Sequence, residues 1–319
     1  MKLDKVISNK ILTEYSLIQN RATRIYNDEI KKIYRNYPIL ANIDKDLVKL
    51  YIIKAKNKLR NEEKEVDSQI DIAISKRKDF INTHNIKLPS KYCCDICKDT
   101  GTTVEGKKCI CYNKIFKKVM YENDPYRDLF NKYRFENLDY ILYDNSVDEK
   151  NNINISNREI VRMIEKSAEI LVDAFTNNKE YKYSNYLLMG EVGVGKTYIA
   201  LSIGNLFLDR SIYVKFISSN ELSLKLGSFD EENREFIEFI KEVPVLIIDD
   251  LGVEFLGKKY IAELYDLIYS RQINKLPTIF TTNMTIDNLA NYYTQRFISK
   301  LEVDTRFFMI YGNDLRQSK

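Results

Sequence analysis

Between Asn185 and Leu208 the sequence runs NYLLM, then GEVGVGKT, then YIALSIGNLFL. An apolar strand, a complete GxxxxGK[ST] loop and a helical run in that order restrict the fold, because the loop works only where a strand ends and a helix begins. Glycines let the backbone turn tightly so that successive N–H groups point inward. The helix N-terminus adds positive potential at the same place. Gly190, Gly193, Val194 and Gly195 then form a phosphate cradle, with Tyr198 completing the nucleotide-binding set. Lys196 reaches the β- and γ-phosphates, and the Thr197 hydroxyl ligates magnesium.

A second apolar run, Val245-Leu-Ile-Ile-Asp249-Asp250, ends in two carboxylates 52 positions beyond Thr197. Asp249 fits the acid that organises the metal, and Asp250 stands where a carboxylate polarises an attacking water. Thr281-Thr282-Asn283 closes a further strand and puts an amide at the same sheet edge, although Asn at a strand end is also common in turns. In TQRFISKL, Arg296 and Lys300 share one helical face. Such a cation, donated to the phosphate of a neighbouring subunit, neutralises charge in the transition state. Strands are expected at 186–189, 212–217, 245–248, 278–281 and 307–310, alternating with helical patterns that include one near 158–176. That alternation predicts an α/β fold with a parallel sheet wrapped by helices. The stretch 144–157, rich in Asn, Asp and Ser, reads as a loop.

All five cysteines fall within 19 positions, in KYCCDICKDTGTTVEGKKCICYNK. Cys94 and Cys97 form one close pair, Cys109 and Cys111 another, with 11 residues between. Gly101 and Gly106 let the intervening loop return, so that four sulfurs can close a tetrahedron around zinc. An iron–sulfur cluster and free thiols are the alternatives. Cys93 is the expected spare, its adjacency to Cys94 leaving the choice between them open. With every position filled by protein, the site is structural rather than catalytic. His84, the single histidine, reads as a helix-end residue, which argues against histidine-based acid–base catalysis.

Ahead of the cysteines, residues 3–35 and 46–81 carry apolar groups at helical spacing, among them Ile7, Ile11, Ile18, Ala22 and Ile25, then Leu47, Leu50, Leu59, Ile70, Ala73, Ile74 and Ile81. Pro38 marks a turn between the two stretches. The net charge of +4 is uneven, with 26 Lys and Arg against 15 Asp and Glu through Lys118, and 24 against 31 thereafter. A basic excess of this kind suits nucleic acid or an acidic partner, or simply a solvated helical surface. No apolar run approaches the roughly 18 residues of a membrane span, and charges interrupt the N-terminus before a signal-peptide core can form, so a cytoplasmic protein is expected.

Taken in order, GEVGVGKT, VLIIDD, TTN, QRFISKL and the closing YGNDLR resemble the motifs of the bacterial replicative helicase loaders, the DnaC and DnaI proteins of the AAA+ ATPases. The cysteine block looks like the zinc-binding segment of the DnaI-type loaders. The resemblance covers about residues 92–316. It implies an AAA+ P-loop ATPase domain with a five-stranded parallel sheet at 133–319, a zinc-binding segment at 91–132 and a helical helicase-binding region at 1–90. It further implies ATP, Mg²⁺ and Zn²⁺ as cofactors, and weak ATP hydrolysis stimulated by DNA or a partner. The implied partners are a hexameric replicative helicase, single-stranded DNA and other copies of the chain. By the same resemblance Lys196 and Thr197 are phosphate-loop residues, Asp249 and Asp250 the Walker B acids, Asn283 sensor 1, Arg296 the candidate arginine finger and Arg316 a candidate sensor 2. Phe135, in the aromatic segment entering the ATPase domain, is placed near adenine. Lys225 and Arg234, within 218–241, are the DNA-contact candidates.

Two departures qualify the match. Lys300 stands where similar proteins often have Arg, a point charge in place of a planar fork. Asp250 stands where many AAA+ proteins have Glu, which leaves Glu254 as a secondary candidate for polarising water. The alternatives carried forward are an IstB-like ATPase that assists a transposase and a nucleotide-switched adaptor without significant hydrolysis.

Overall fold

The computed structural model describes residues 2–58, 64–122, 124–145, 155–182, 184–227 and 231–317. Two compact units divide the chain, one spanning Ser8–Tyr112 and the other built on Asn113–Lys319.

In the first unit, α1 (Lys2–Asn36) is followed after Tyr37 by α2 (Pro38–Lys58), and α3 (Lys64–Thr83) packs on α2. Pro38 occupies the first helical position, where its missing N–H costs nothing and its fixed φ suits the helix. The apolar stretch 46–81 is therefore divided between two helices. The buried stripe of α1 is Ile11, Tyr15, Ala22 and Ile30, whereas Ile25 is exposed. It differs from the all-aliphatic stripe because Tyr15 packs against the cysteine segment. Asp44 of α2 joins three helices, accepting from Tyr34 of α1 at 2.7 Å and pairing with Arg77 of α3. The ring of His84 stacks on Phe80 and its Nδ1 lies 2.9 Å from the Phe80 carbonyl, a helix-end arrangement as expected.

α4 (Ile110–Tyr121), which lies in the second unit from Asn113 onward, is followed by α5 (Arg127–Lys132). After α6 (Asn157–Thr176) come β1 (Asn185–Gly190), α7 (Lys196–Asp209), β2 (Val214–Ser218), α8 (Ser219–Gly227), α9 (Glu231–Glu242), β3 (Val245–Asp249) and α10 (Lys258–Ile273). The unit ends with β4 (Thr278–Thr282), α11 (Ile286–Tyr292), α12 (Gln295–Leu301) and β5 (Thr305–Ile310). All five strands and α6 fall where the sequence places them. Ser156 and Glu159 start α6 with a reciprocal capping box. Most of the predicted loop before it, 146–154, lies outside the described residues.

The sheet is wholly parallel, in the order β2-β3-β4-β1-β5. Leu187 lies beside Phe280 on one neighbour and Phe307 on the other, and Ile247 lies between Phe216 and Ile279. Buried on both faces, these strands read as continuous apolar runs. The fully buried Arg271 of α10 donates to the carbonyls of Ile240, Val243 and Pro277 and to the Thr278 hydroxyl at 2.7–2.9 Å, tying α9 and the start of β4 to α10. In such a sheet the carboxyl ends of the strands hold the ligand crevice. Here β1 ends at Gly190, β3 at Asp249 and β4 at Thr282.

Candidate nucleotide site and cysteine cluster

The loop leaving β1 takes a left-handed backbone at Gly193 (φ 85°) and Gly195 (φ 90°), a conformation that L side chains rarely adopt. A Cβ on Gly195 would also stand 2.5 Å from the Tyr143 hydroxyl. The Leu315 amide donates to the Gly193 carbonyl at 3.1 Å, so the last turn of the chain rests on the loop. Within that turn Arg316 lies close enough to Lys196 to act on its protonation.

Lys196 is buried, and its ammonium folds back on the loop, donating to the carbonyls of Gly190 (3.0 Å) and Glu191 (2.6 Å). Burial lowers its pKa, against the pull of Asp250 and Asp249. Thr197 donates to the Asp249 carboxylate at 3.0 Å, bringing together the two residues expected to hold magnesium. A hydroxyl and a carboxylate facing each other at the end of a phosphate loop are hard oxygen donors suited to Mg²⁺. Burial raises the Asp249 pKa, and hydrogen bonds from Thr281 and Thr197 oppose that rise. Asp250 follows with a left-handed φ of 56°, its amide held by Thr281 at 2.8 Å and its carbonyl by Ser219 at 2.6 Å.

Asn283 lies exposed just beyond β4, at the sheet edge that carries Asp249. Thr281 is the residue of this strand that touches the acid. Phe135 is buried in a one-turn helix beside α7, and the aromatic against the phosphate loop is Tyr143. Tyr143 is 1% exposed and its hydroxyl has no hydrogen-bond partner among the described residues. Nothing in the sequence distinguishes it from the other 22 tyrosines. Tyr198 donates to the Arg134 carbonyl at 3.0 Å, which pins α7 to the segment before it.

Glu254 is not available to polarise water. It is buried, receives hydrogen bonds from the Gly252 amide (2.8 Å) and Tyr260 (2.7 Å), and is bonded by Tyr293 as well. Arg296 is exposed on α12, its guanidinium 5.3 Å from the ring centre of Tyr265, and Lys300 lies 4.1 Å from that of Tyr269. Each cation thus rests on a tyrosine of α10. Lys225 caps the Phe236 ring at 4.7 Å and Arg234 is exposed on α9; residues 228–230 of the predicted DNA-contact segment lie outside the described residues.

In the first unit the thiols of Cys94, Cys97, Cys109 and Cys111 lie within 4.8 Å of one another. Cys94 and Cys109 sulfurs are 3.7 Å apart, those of Cys97 and Cys111 3.4 Å. Tetrahedral zinc with bonds of about 2.3 Å requires sulfur–sulfur edges of about 3.8 Å, so the donor set fits zinc. Cys93 is exposed outside the cluster, which identifies Cys94 as the member of the first pair. The buried Asp99 holds the turn by accepting from the amides of Cys93 (2.9 Å) and Cys94 (2.7 Å). Two contacts reach the cluster from α1: the Tyr15 hydroxyl lies 3.3 Å from the Cys111 sulfur, and Gln19 donates to the Asp99 carbonyl at 2.8 Å. Burial opposes ionisation of Cys97, but hydrogen bonds from Cys111 and the Gly101 amide bring its pKa down to about 7.

Residues 162–303 match the family model described as IstB-like ATP binding protein. This stretch is similar to IstB/DnaC-type ATP-binding proteins. The replicative helicase loader DnaI of Bacillus subtilis (strain 168) is 28% identical over 120 residues, 37% of this chain and 39% of that protein. The insertion sequence IS5376 putative ATP-binding protein of Geobacillus stearothermophilus is 33% identical over 118 residues, 36% of this chain and 45% of that protein. The matched stretch thus spans less than half the length of either relative. A crystal structure of DnaI aligns with 58% of this chain and 93% of its own at 24% identity, with a TM-score of 0.46. The five-stranded parallel sheet and the glycine loop after β1 are those of an α/β P-loop fold. No helix among the described residues is long and apolar enough to cross a membrane.

Proposed function

We propose that the chain is an ATP-dependent loader that places a hexameric replicative helicase on single-stranded DNA in the cytoplasm at replication initiation. The observation that carries this reading is the joining of Thr197, Asp249 and Thr281 at the sheet edge, directly after a phosphate loop whose lysine is already buried in it. When bound, ATP and Mg²⁺ supply the cleavable phosphoanhydride and the charge that polarises it. Lys196 would leave the loop carbonyls for the phosphates, Thr197 and Asp249 would hold the metal, and Asp250 would orient the attacking water. Asn283 senses the γ-phosphate, and Arg316 approaches it from the closing turn. Arg296 leaves Tyr265 to serve the site of an adjacent copy, so the isolated chain hydrolyses ATP slowly.

In this reading residues 1–90 grip the helicase, 91–132 hold zinc and 133–319 form the motor. Support for the first assignment comes from α2, where Val48, Tyr51 and Ile52 lie on one helical face and are each at least half exposed. The four-thiol cluster supplies folding energy to a loop-rich segment. The similarity to the insertion-sequence protein favours a second reading, a helper ATPase for a transposase. Co-purification decides between them. A loader retains the hexameric helicase with ATP and gains ATPase activity with single-stranded DNA. Retention of transposase and not helicase rejects the loader.

A further inference from the structure

Apart from the phosphate loop, the second unit contains a cavity of about 340 Å³ bounded by α4, α5 and the far end of α7. Five cations line it: Lys114, Lys117 and Lys118 from one face of α4, Arg127 from the start of α5, and Arg134 just beyond it. No acidic side chain does so among the described residues. Tyr121, Phe130 and Leu208, all buried, form its floor. Leu208 lies twelve residues along α7 from Lys196, about 18 Å at 1.5 Å per residue, so this cavity is distinct from the phosphate cradle.

Its walls are fixed by the protein's own bonds. Asn205 spends both amide protons on the carbonyls of Phe130 (2.7 Å) and Tyr133 (2.8 Å), and its oxygen accepts from Arg134 at 3.2 Å. Asp209 accepts from Lys117 at 2.6 Å and Arg134 at 2.5 Å, and Glu136 accepts from Arg134 at 2.6 Å. Two carboxylates therefore orient two of the five cations, while Lys114 and Arg127 stand exposed at the mouth. Asp209 and Glu136 offset part of this charge, and gathering like charge from separate elements around a preformed hollow suits an anion. The volume falls in the range of small-ligand pockets, roughly 300–1,000 Å³. A phosphate group, with up to two negative charges and several acceptor oxygens, can engage cations from separate elements at once.

We infer that this cavity binds a phosphate-bearing anion, independently of the nucleotide held by the phosphate loop. The phosphate comes either from a free polyphosphate or from the backbone of a single-stranded nucleic acid, and both present the same chemistry to the cations.

The test is titration calorimetry on the full chain carrying Lys196→Ala, which is expected to abolish binding at the cradle, with inorganic pyrophosphate and a short oligothymidylate as probes. Lys114→Gln with Arg127→Gln removes two rim cations and leaves the Asp209 bonds intact. Lys76→Gln with Lys78→Gln removes the same charge from the first unit. A loss of fivefold or more in pyrophosphate affinity with the rim pair, and less than twofold with the control pair, supports a free-phosphate site. The same selective loss for oligothymidylate alone, with a shallower salt dependence, supports the nucleic-acid source. Equal effects of the two pairs on both probes, or no binding of either probe to the parent, overturn the inference.

Discussion

The Thr281 hydroxyl donates to Asp249 at 2.7 Å and accepts from the Asp250 amide at 2.8 Å, so one side chain of β4 holds the acid that ends β3 and the backbone of the residue after it. Thr281→Val keeps the shape and removes both bonds, leaving a buried carboxylate short of a donor and an amide short of an acceptor. The expected cost is about 1–3 kcal/mol. At roughly 2–4 °C per kcal/mol for a unit of this size, thermal melting should fall by several degrees. Magnesium-dependent ATP turnover should fall further than ATP affinity. An unchanged melting temperature would show that the bridge has no energetic weight.

Asp249 gives a pH dependence of unusual sign. Its folded pKa is raised by burial, so between the ordinary carboxyl value and the raised one the folded state holds more protons than the unfolded. Its contribution to the nucleotide-free protein therefore falls as pH rises through that window. Asp249→Asn removes the effect. The variant should melt above the parent near neutrality, with the gap closing toward pH 4, while hydrolysis is abolished. Melting curves from pH 4 to 7 test this, and a gap that widens on acidification contradicts it.

Arg296 and Lys196 should separate binding from turnover. Lys196→Ala is expected to abolish nucleotide binding. Arg296→Ala, which alters only an exposed cation resting on Tyr265, should keep ATP affinity within about twofold and lose DNA-stimulated hydrolysis by 10³-fold or more. Fluorescent-nucleotide titration paired with phosphate release reads both quantities. Equal loss of binding in the two variants removes the case for action between copies.

The Tyr143 hydroxyl is buried without a partner, so Tyr143→Phe should stabilise the nucleotide-free protein by about 1 kcal/mol. Gly195→Ala drives a methyl into that hydroxyl from a left-handed backbone and should cost several times as much. Chemical denaturation of both variants checks the pair, and destabilisation by the phenylalanine change would mean that the hydroxyl does have a partner.

Zinc should be required for the first unit and indifferent to Cys93. Cys97→Ser or chelation is expected to lose about one zinc per chain by elemental analysis and to expose α1 to protease, whereas Cys93→Ser retains the metal. Full zinc content in Cys97→Ser would exclude the four-sulfur site.

Strand positions were legible because each is an apolar run closed by a polar or glycine signal, and the acids of β3 were legible because they break such a run abruptly. The stripe of α1 is less legible. Periodicity treats Ile25 and Tyr15 by hydropathy, but Tyr15 is buried by a cysteine segment almost a hundred residues away, and no local pattern reports that. The same limit applies to Glu254. A carboxylate four residues past Asp250 looks catalytic along the chain, and only packing of α10 and α11 against it reveals the tyrosines that enclose it. Thr281 and Tyr143 were missed because common residues gain their roles from strand pairing and from the return of a distant segment.

The bonds from Tyr15 to Cys111 and from Gln19 to Asp99 also bear on how the chain acquires its shape during synthesis. Both join α1 to a knuckle that leaves the ribosome after two further helices. Until then α1 lacks the partner that covers Tyr15, so this portion cannot mature residue by residue as it emerges. A nascent chain arrested between α3 and Cys109 should present a sticky, protease-sensitive rod, and metal capture should mark the moment at which that vulnerability ends.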